Sequence, residues 1–306
     1  MKIVFFGTGA FSTTILKGLV DAGRNIVAVV TQPDKINGRN NKVIFSDIKK
    51  YCLENNINIY QFEKLNRDGE QVLKELNPDI FVTASYGQII KQNILDIPKH
   101  GTVNVHASLL PKYRGPAPIQ WAIINGEKTT GITIMQTELG VDTGDIFFQK
   151  EISIEAEDTS TSVFNKLATL GVDCINQFFD KFDYYINNHT KQDESKSSYY
   201  PMIKKDDLLI DFNTCAFDLC NKIRALESCY FIYKGVRYKV LFAVPNDKTG
   251  QAGEILSCNG KTGFIISTKD RSIEVVTIQP EGKQKMFALA LMNSNKFTLG
   301  DIIENS

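Results

Sequence analysis

Asn104 and His106 are the residues of this chain whose types and spacing most directly indicate chemistry. They stand two positions apart in the run NVHASLLP, where they alternate with Val103 and Val105. In a β-strand, this period of two places the amide and the imidazole on one face. Asp142, in the glycine-flanked run GVDTG, follows thirty-six residues after the histidine and can supply a carboxylate that orients the ring. An amide donor for an oxyanion beside a proton carrier indicates acyl-group transfer.

The N-x-H pattern by itself is short, and a single histidine on a valine-rich strand is more often a packed core residue than a catalyst. Three histidines occur, His100, His106 and His189, and their spacing does not match a metal site, so we expect no metal. Ser108 has no recognisable base beside it, which favours a turn or a ligand contact over a nucleophile. On these residues alone, a structural role for the histidine stays open.

A longer stretch, NVHASLLPKYRGPAPIQWAIINGEKTTGITIMQTELGVDTGD, resembles the formyltransferase family that uses 10-formyltetrahydrofolate. The resemblance spans nearly all 306 residues and is strongest up to about residue 170. It implies that Asn104, His106 and Asp142 are catalytic. It also implies that a formyl group passes from 10-formyltetrahydrofolate, a co-substrate, to the α-amine of methionine carried by initiator tRNA. The partners expected from the resemblance are therefore a reduced folate and methionyl-tRNA.

The same resemblance implies where the two substrates bind. Folate contacts are expected from two short segments, which consist of Ser108, Leu109, Leu110 and Pro111, and of Ser85, Tyr86, Gly87, Gln88 and Ile89. The run TQPDK that leads to Arg39 resembles the family's extended loop, which reaches the acceptor end of tRNA. A solvated surface loop is the alternative for that stretch, which is rich in Asn and Lys. We further expect Lys204, Lys205 and Lys239 to contact tRNA phosphates.

Length and composition are those of a globular protein with more than one domain. The chain has 306 residues, of which 42% are hydrophobic and 23% are charged. A formal net charge of 0 argues against a strongly polycationic nucleic-acid binder, although a local basic patch remains compatible with it. The six cysteines form no C-x-x-C pair and favour reduced thiols. Because no signal pattern or membrane-length apolar run occurs, we expect a cytoplasmic protein without a membrane partner. We also expect a monomer.

Alternating apolar strands and helical patterns predict an α/β fold with a doubly wound, mostly parallel sheet over residues 1–189, the Rossmann-like formyltransferase domain. Its strands are expected at four apolar runs: Ile3–Phe6, Ile26–Thr31, Ile80–Ala84 and Gly101–Val105. The polar run HTKQDESKSS favours a linker over residues 190–203. Short alternating segments with turn signals then predict a small antiparallel, OB-like β-barrel over residues 204–306, which the resemblance makes the tRNA-binding domain.

Three other functions are compatible with parts of the sequence. Gly7 and Gly9, between a strand and a helix, imitate the start of a dinucleotide fingerprint, whereas the formyltransferase family usually has proline in place of Gly9. Against a nicotinamide-dependent oxidoreductase, Ser12 replaces the third small residue and the first acid, Asp34, lies too far along the chain. Within the transferases, formylation of an amino sugar nucleotide is the alternative, since those enzymes share the N-x-H and S-L-L-P runs. A non-catalytic tRNA-binding module gives no reason for Asn, His and Asp to coincide.

Overall fold

The chain folds into two compact units in the computed structural model, which describes residues 1–37, 42–292 and 296–304. The first unit consists of Met1–Pro118, Thr129–Ser153 and Phe164–Pro201. The second unit consists of Ile119–Lys128, Ile154–Val163 and Met202–Ser306. Within the described ranges, no helix is both long and apolar enough to span a membrane.

A mostly parallel sheet forms the first unit. Its strands are β1 (Ile3–Gly7), β2 (Ile26–Thr31), β5 (Ile59–Gln61), β6 (Ile80–Ala84), β7 (Thr102–His106), β8 (Thr129–Gln136) and β9 (Ile146–Ser153), while β3 (Lys35–Asn37) and β4 (Lys42–Ile44) form a separate hairpin. The strand order is β5-β2-β1-β6-β7-β8-β9, with the first five strands parallel and the last two antiparallel. The predicted sheet is confirmed, and β8 and β9 extend it beyond the four strands that the apolar runs indicated.

Helices cover both faces of this sheet. The helices before residue 190 are α1 (Ala10–Asp21), α2 (Asp47–Glu54), α3 (Leu65–Asp68), α4 (Glu70–Leu76), α5 (Gln92–Leu95), α6 (Pro118–Ile124), α7 (Ser160–Asp180) and α8 (Phe182–Asn187). On one face, Leu65, Leu73 and Ile94 pack against apolar side chains of β1, β2 and β6. On the other, α1 and α7 approach so closely that a Cβ on Gly18 would overlap Val172. Burial on both sides explains why the strands are continuous apolar runs.

The carboxyl ends of β6 and β7 lie side by side, with Thr83 in register with Asn104. β8 pairs antiparallel with β7 and places Thr133 opposite His106. Ligands of open α/β sheets bind at the carboxyl edge of the parallel strands. Asn104 and His106 of β7, and the loop that follows β6, therefore lie at the edge of the sheet where a ligand site is expected.

The second unit is built around a six-stranded antiparallel sheet. Its helices and strands are α9 (Ala216–Leu226), β10 (Cys229–Tyr233), β11 (Val236–Asn246), β12 (Ile255–Asn259), β13 (Gly263–Ser267), β14 (Ser272–Pro280), β15 (Met286–Phe287) and α10 (Ala288–Met292). The order is β10-β11-β14-β13-β12, with β15 paired to β14. The rings of Phe231, Phe264 and Phe297 meet in its core. The predicted antiparallel second domain is confirmed, because neighbouring strands of this sheet pair antiparallel.

Residues 190–200 belong to the first unit and are hydrogen-bonded to the rest of it, although their polar composition favours a linker. Thr190 and Ile146 exchange two backbone hydrogen bonds of 2.8 Å. The backbone N–H of Ser198 donates to the carbonyl of Pro111 at 3.1 Å. The division between the two units falls at the far end of the expected linker. A polar segment can form hydrogen bonds with the backbone of a folded domain, or it can be exposed to water as a linker. Composition alone does not distinguish these two cases.

The second unit also includes residues 119–128 and 154–163, which the expected boundary at 189 assigns to the first domain. The buried guanidinium of Arg224 contributes to this arrangement because it donates to the carbonyl of Glu155 at 3.2 Å and to that of Asp158 at 2.7 Å. These partners are more than sixty positions away in the sequence. A linear pattern contains no signal for such contacts, so it places the boundary as a single cut.

Trypsin is expected to cut the folded chain after Lys204 or Lys205 before it cuts after Lys191 or Lys196. Proteolysis requires a locally unfolded stretch, and backbone hydrogen bonds hold residues 190–200 on the first unit. Lys204 and Lys205 are exposed and follow the division between the units. Mass spectrometry of the earliest fragments measures the order of cleavage. Initial cuts at Lys191 or Lys196 would contradict this order.

Candidate active site

Asn104 and His106 share one face of β7. Val103 and Val105 point to the opposite face and are buried. His106 is buried as well, with 7% of its surface exposed, and Asn104 is half-buried. The alternation thus brings an amide and an imidazole together at the carboxyl end of a strand inside the sheet.

The imidazole of His106 lies between a carbonyl and a carboxylate. Its Nε2 is 3.1 Å from the carbonyl oxygen of Tyr113, so the tautomer with hydrogen on Nε2 donates to that oxygen. Its Nδ1 is 3.6 Å from Oδ1 of Asp142. The structure therefore brings Asp142 next to the histidine, and the Nδ1 side of the ring faces the carboxylate.

Asp142 is held in an uncommon backbone conformation. Its φ of 54° lies in the left-handed region, which costs a residue other than glycine about 1–2 kcal/mol. Its Oδ2 accepts a hydrogen bond of 2.9 Å from the backbone N–H of Gly115. Gly144 is needed in the same loop because a Cβ there would overlap the carbonyl oxygen of Gln136. The glycines of GVDTG thus permit the tight loop that turns the carboxylate towards His106.

The side-chain amide of Asn104 is oriented by its neighbour in β6. The hydroxyl of Thr83 donates to Oδ1 of Asn104 at 3.0 Å. Among the described residues, the Nδ2 group of Asn104 has no hydrogen-bond acceptor. With one end of the amide fixed by Thr83, the other end is left as a donor for a ligand.

The run from Ser108 to Pro111 forms a turn fixed by side chains from β8 and β9. Thr133 Oγ1 donates to the Ser108 carbonyl at 2.6 Å and accepts from the Leu110 N–H at 3.2 Å. Gln149 Nε2 donates to the Leu110 carbonyl at 2.8 Å. The Ser108 hydroxyl donates to the carbonyl of Lys112 within the same turn, and Leu109 lies over Gly131 of β8. Ser108 therefore stabilises the turn, in agreement with its lack of a paired base.

The loop after β6 presents alternate residues to solvent. Ser85, Gly87 and Ile89 are exposed, and the first two have positive φ angles of 48° and 86°. Tyr86 turns inwards, where its ring packs against Phe6 at 5.3 Å, and burial raises the pKa of its hydroxyl. Gln88 anchors the loop by donating to the carbonyl of Phe62 at 2.9 Å. Of the folate contacts expected here, Tyr86 has its side chain in the core, and Ser85, Gly87 and Ile89 face outwards.

Two clefts border these residues in the first unit. One, of about 720 Å³, is lined by Gln88, Ile89 and residues of the α3 and α5 regions. The other, of about 610 Å³, is lined by Leu95, Thr102, Thr137, Leu139 and Gly140, among others. Gly140 precedes Asp142 by two positions in the sequence. Thr102 and Thr137 each bury a hydroxyl that has no hydrogen-bond partner among the described residues. Both clefts are of the size that takes a small-molecule ligand.

Residues 1–178 match the formyl transferase family, and residues 202–296 match its C-terminal domain. The chain belongs to the formyl transferase family. The predicted membership is thereby confirmed, and the candidate active site lies within the part of the chain that matches the first of the two domains.

Similar proteins extend over almost the whole chain. The methionyl-tRNA formyltransferase of Malacoplasma penetrans is 42% identical over 298 residues, which cover 96% of this chain and 93% of that protein. That of Lactobacillus johnsonii is 42% identical over 310 residues, with 99% and 98% covered. Among solved structures, WlaRD, a sugar 3N-formyl transferase crystallised with dTDP and 5-N-formyl-THF, superposes with a TM-score of 0.65 at 24% identity and covers 93% of this chain and 99% of its own. The likeness to WlaRD shows the fold.

Several residues that position the side chains and turns of the candidate active site were not identified from the sequence. Thr83 is a buried polar residue within an otherwise apolar strand, which is a signal that could have identified it. Thr133 is also buried, but its strand contains other polar residues, so its type does not single it out. Gln149, Arg114 and Gln192 carry no such signal, because their partners are backbone groups and side chains distant in the sequence.

The residues expected to contact tRNA occupy several places. Lys239 lies on β11 opposite Tyr230, and the guanidinium of Arg237 stacks over the ring of Tyr230 at 4.5 Å. Lys204 and Lys205 are exposed near the start of the second unit. Arg39 lies outside the described residues. The Lys239 face thus combines two cationic side chains with a half-buried aromatic ring.

Proposed function

We propose that this chain transfers the formyl group of 10-formyltetrahydrofolate to the α-amine of methionyl-initiator tRNA. The observation that carries the proposal is the meeting of Asn104, His106 and Asp142 at one end of β7 in a chain 42% identical to methionyl-tRNA formyltransferases over nearly its full length. The product, N-formylmethionyl-tRNA, serves translation initiation. The activity assigns the protein to the cytoplasm, where we expect it to act as a monomer.

The cleft beside Thr102 and Thr137 suits a reduced folate. An unpaired buried hydroxyl costs about 1–3 kcal/mol. A rotation of each threonine side chain towards the cleft would let its hydroxyl pair with an N–H or a carbonyl group on the polar edge of a pterin. Leu95 and Leu139 supply apolar lining for the ring. The turn from Ser108 to Pro111 would then contact the part of the folate nearer the formyl group. When bound, 10-formyltetrahydrofolate supplies an activated formyl group on N10.

The protein's residues supply donors and a proton path for the transfer. The Nδ2 group of Asn104 donates to the oxyanion that forms when the methionine amine attacks the formyl carbon, and the positive charge of His106 stabilises it once the ring has taken a proton. Such a donor stabilises the transition state by roughly 3–4 kcal/mol. Because Nε2 of His106 donates to Tyr113, Nδ1 is the atom that takes the amine proton, which ends on N10 as the C–N bond breaks. Asp142 stabilises the imidazolium that exists in between.

Replacing Thr83 by valine is expected to lower kcat roughly 10-fold with little change in KM. The substitution keeps the shape of the side chain but removes the hydroxyl that orients Asn104, so the amide loses its preferred direction. Thr169→Val is a matched control, since Thr169 is bonded only within α7 on an exposed surface. Thr83→Ser should retain most of the parental kcat. Equal kcat values for Thr83→Val and Thr169→Val would contradict a role for this hydrogen bond.

The affinity for methionyl-tRNA should fall as salt rises, because each neutralised phosphate releases condensed counterions. Substitution of Arg39, Lys204, Lys205 or Lys239 by alanine should reduce the slope of log affinity against log salt by about 0.7–0.9 per lost contact. Lys74→Ala, on an exposed helix of the first unit, should leave the slope unchanged. Folate affinity should stay the same in all of them. If all four variants kept the parental slope, these four residues would not contact tRNA phosphates.

The proposed function is tested by identifying which amine accepts the formyl group. Formyl transfer from a labelled donor is measured in parallel with methionyl-tRNA and with amino sugar nucleotides. Labelled methionyl-tRNA supports the proposal, whereas a labelled amino sugar nucleotide would make the chain a sugar formyltransferase. Transfer to neither acceptor would overturn the assignment of substrate while leaving the fold and family in place.

A further inference from the structure

The polar segment 190–200 contacts both partners of His106. On one side, Nε2 of Gln192 donates to the backbone carbonyls of Asp142 and Gly144, each at 2.8 Å. These two bonds span the loop that carries the Asp142 carboxylate. They hold the carbonyl oxygens on either side of Thr143 at a fixed separation, so the loop cannot relax without breaking them.

Gln192 is itself fixed by a buried arginine. Arg114, with 7% of its surface exposed, donates to Oε1 of Gln192 from Nε at 3.1 Å and from Nη2 at 2.8 Å. The same guanidinium donates to both carboxylate oxygens of Glu194 at 2.9 Å and 2.7 Å and lowers the pKa of that carboxyl. Because Arg114 takes up the oxygen of the Gln192 amide, the NH₂ group must face the Asp142 loop.

On the other side of the histidine, the segment holds Tyr113. The backbone N–H of Tyr113 donates to Oγ of Ser198 at 2.9 Å, and Tyr113 itself has a φ of 60°. Its carbonyl is the acceptor for Nε2 of His106. Residues 190–200 therefore contact the carboxylate loop on one side of the imidazole and the carbonyl-bearing residue on the other.

We propose that Gln192 is a positioning residue for the transfer reaction, which holds Asp142 in its left-handed conformation beside His106. This inference rests on the proposed function. A residue other than glycine at φ 54° returns to a less strained conformation unless its surroundings prevent it. The two bonds from Gln192 hold the backbone of the Asp142 loop, and the bond from the N–H of Gly115 holds the carboxylate. A small shift of Asp142 would lengthen a separation from Nδ1 that is already 3.6 Å.

Gln192→Glu is the sharpest variant because it separates the two ends of the amide. A carboxylate keeps the oxygen that accepts from Arg114, so the segment stays docked, but it has no hydrogen to donate to the carbonyls of Asp142 and Gly144. Gln192→Met, which removes both functions without adding charge, is the second variant. Gln71→Glu makes the same chemical change on an exposed helix and is the control.

Steady-state kinetics and ring ¹⁵N NMR of histidine-labelled protein are measured for each variant that retains the parental melting temperature. In a folded Gln192 variant we expect kcat to fall about 10-fold, with KM for the folate donor within about two-fold of parental, because only positioning is lost. The ¹⁵N signals of His106 should shift, while those of His100, which packs on Phe182, should not. A purely structural role for Gln192 would leave the His106 signals in place.

Parental kcat and parental His106 signals in either folded Gln192 variant would overturn the inference. The kinetics are run with whichever amine the parent protein formylates, and the NMR measurement needs no acceptor. Failure of the parent to formylate methionyl-tRNA would therefore count against the proposed function alone. A change at His106 in Gln192→Glu that is absent in Gln71→Glu would support the role of Gln192 whatever the acceptor.

Discussion

Turnover is expected to fall about 100-fold or more when Asn104, His106 or Asp142 is replaced by alanine, while the fold is retained. Asn104→Ala removes the Nδ2 donor of the proposed oxyanion site. His106→Ala removes the ring that lies between Tyr113 and Asp142, and with it the proton acceptor. The measurement is kcat for formyl transfer to methionyl-tRNA, with circular dichroism as the check on folding.

His100→Ala provides the matched control for the histidine. His100 is exposed, packs edge-on against Phe182 and is not among the residues that line either cleft, so its loss should leave kcat near the parental value. The three active-site variants should also be far from additive, since Asn104, His106 and Asp142 act on one transition state. Parental turnover in a folded His106→Ala protein would overturn the mechanism.

Gly115→Ala is expected to destabilise the first unit by about 2–5 kcal/mol and to abolish most of the activity. Gly115 has a φ of 111°, and a Cβ at this position would overlap the carbonyl oxygen of Tyr200. Relief of that overlap must move either residues 190–200 or the N–H that donates to Oδ2 of Asp142. The lower midpoint of thermal unfolding and the loss of kcat measure the two effects.

Gly23→Ala separates backbone strain from overlap. Gly23 has a φ of 71°, but a Cβ there would have nothing within 4 Å, so the substitution should cost only the about 1–2 kcal/mol of a left-handed alanine. Its kcat should remain parental, since Gly23 follows α1 far from the Asp142 loop. If Gly115→Ala and Gly23→Ala lowered stability equally and left activity intact, the close approach of Tyr200 would have no energetic consequence.

The sequence by itself determined the features that depend on short-range order. A strand alternates its side chains with a period of two, so the run NVHASLLP was sufficient to place Asn104 and His106 on one face. Apolar runs between helical patterns were sufficient for the mostly parallel sheet, because a strand buried on both faces must be apolar throughout. The glycines that flank Asp142 are likewise a local feature of the sequence, and they permit the loop in which Asp142 has a φ of 54°.

The extent of the two units could not be read from the same patterns. The sequence indicated one polar segment and therefore one boundary, whereas the second unit draws on three separate parts of the chain. Arg224 illustrates why, since its type predicts a charged surface residue and its buried position is explained only by carbonyls more than sixty residues away.

The tertiary structure alone decided which residues support Asn104, His106 and Asp142. Thr83 orients Asn104 because β6 lies beside β7 in a particular register, and Gln192 reaches Asp142 across fifty positions of sequence. The Tyr113–Ser198 bond spans eighty-five. Backbone carbonyls and N–H groups, which are common to all residue types except for the N–H that proline lacks, are the partners in most of these bonds. Because such partners are defined by position in space and not by side-chain identity, the path of the folded chain had to be known before they could be found.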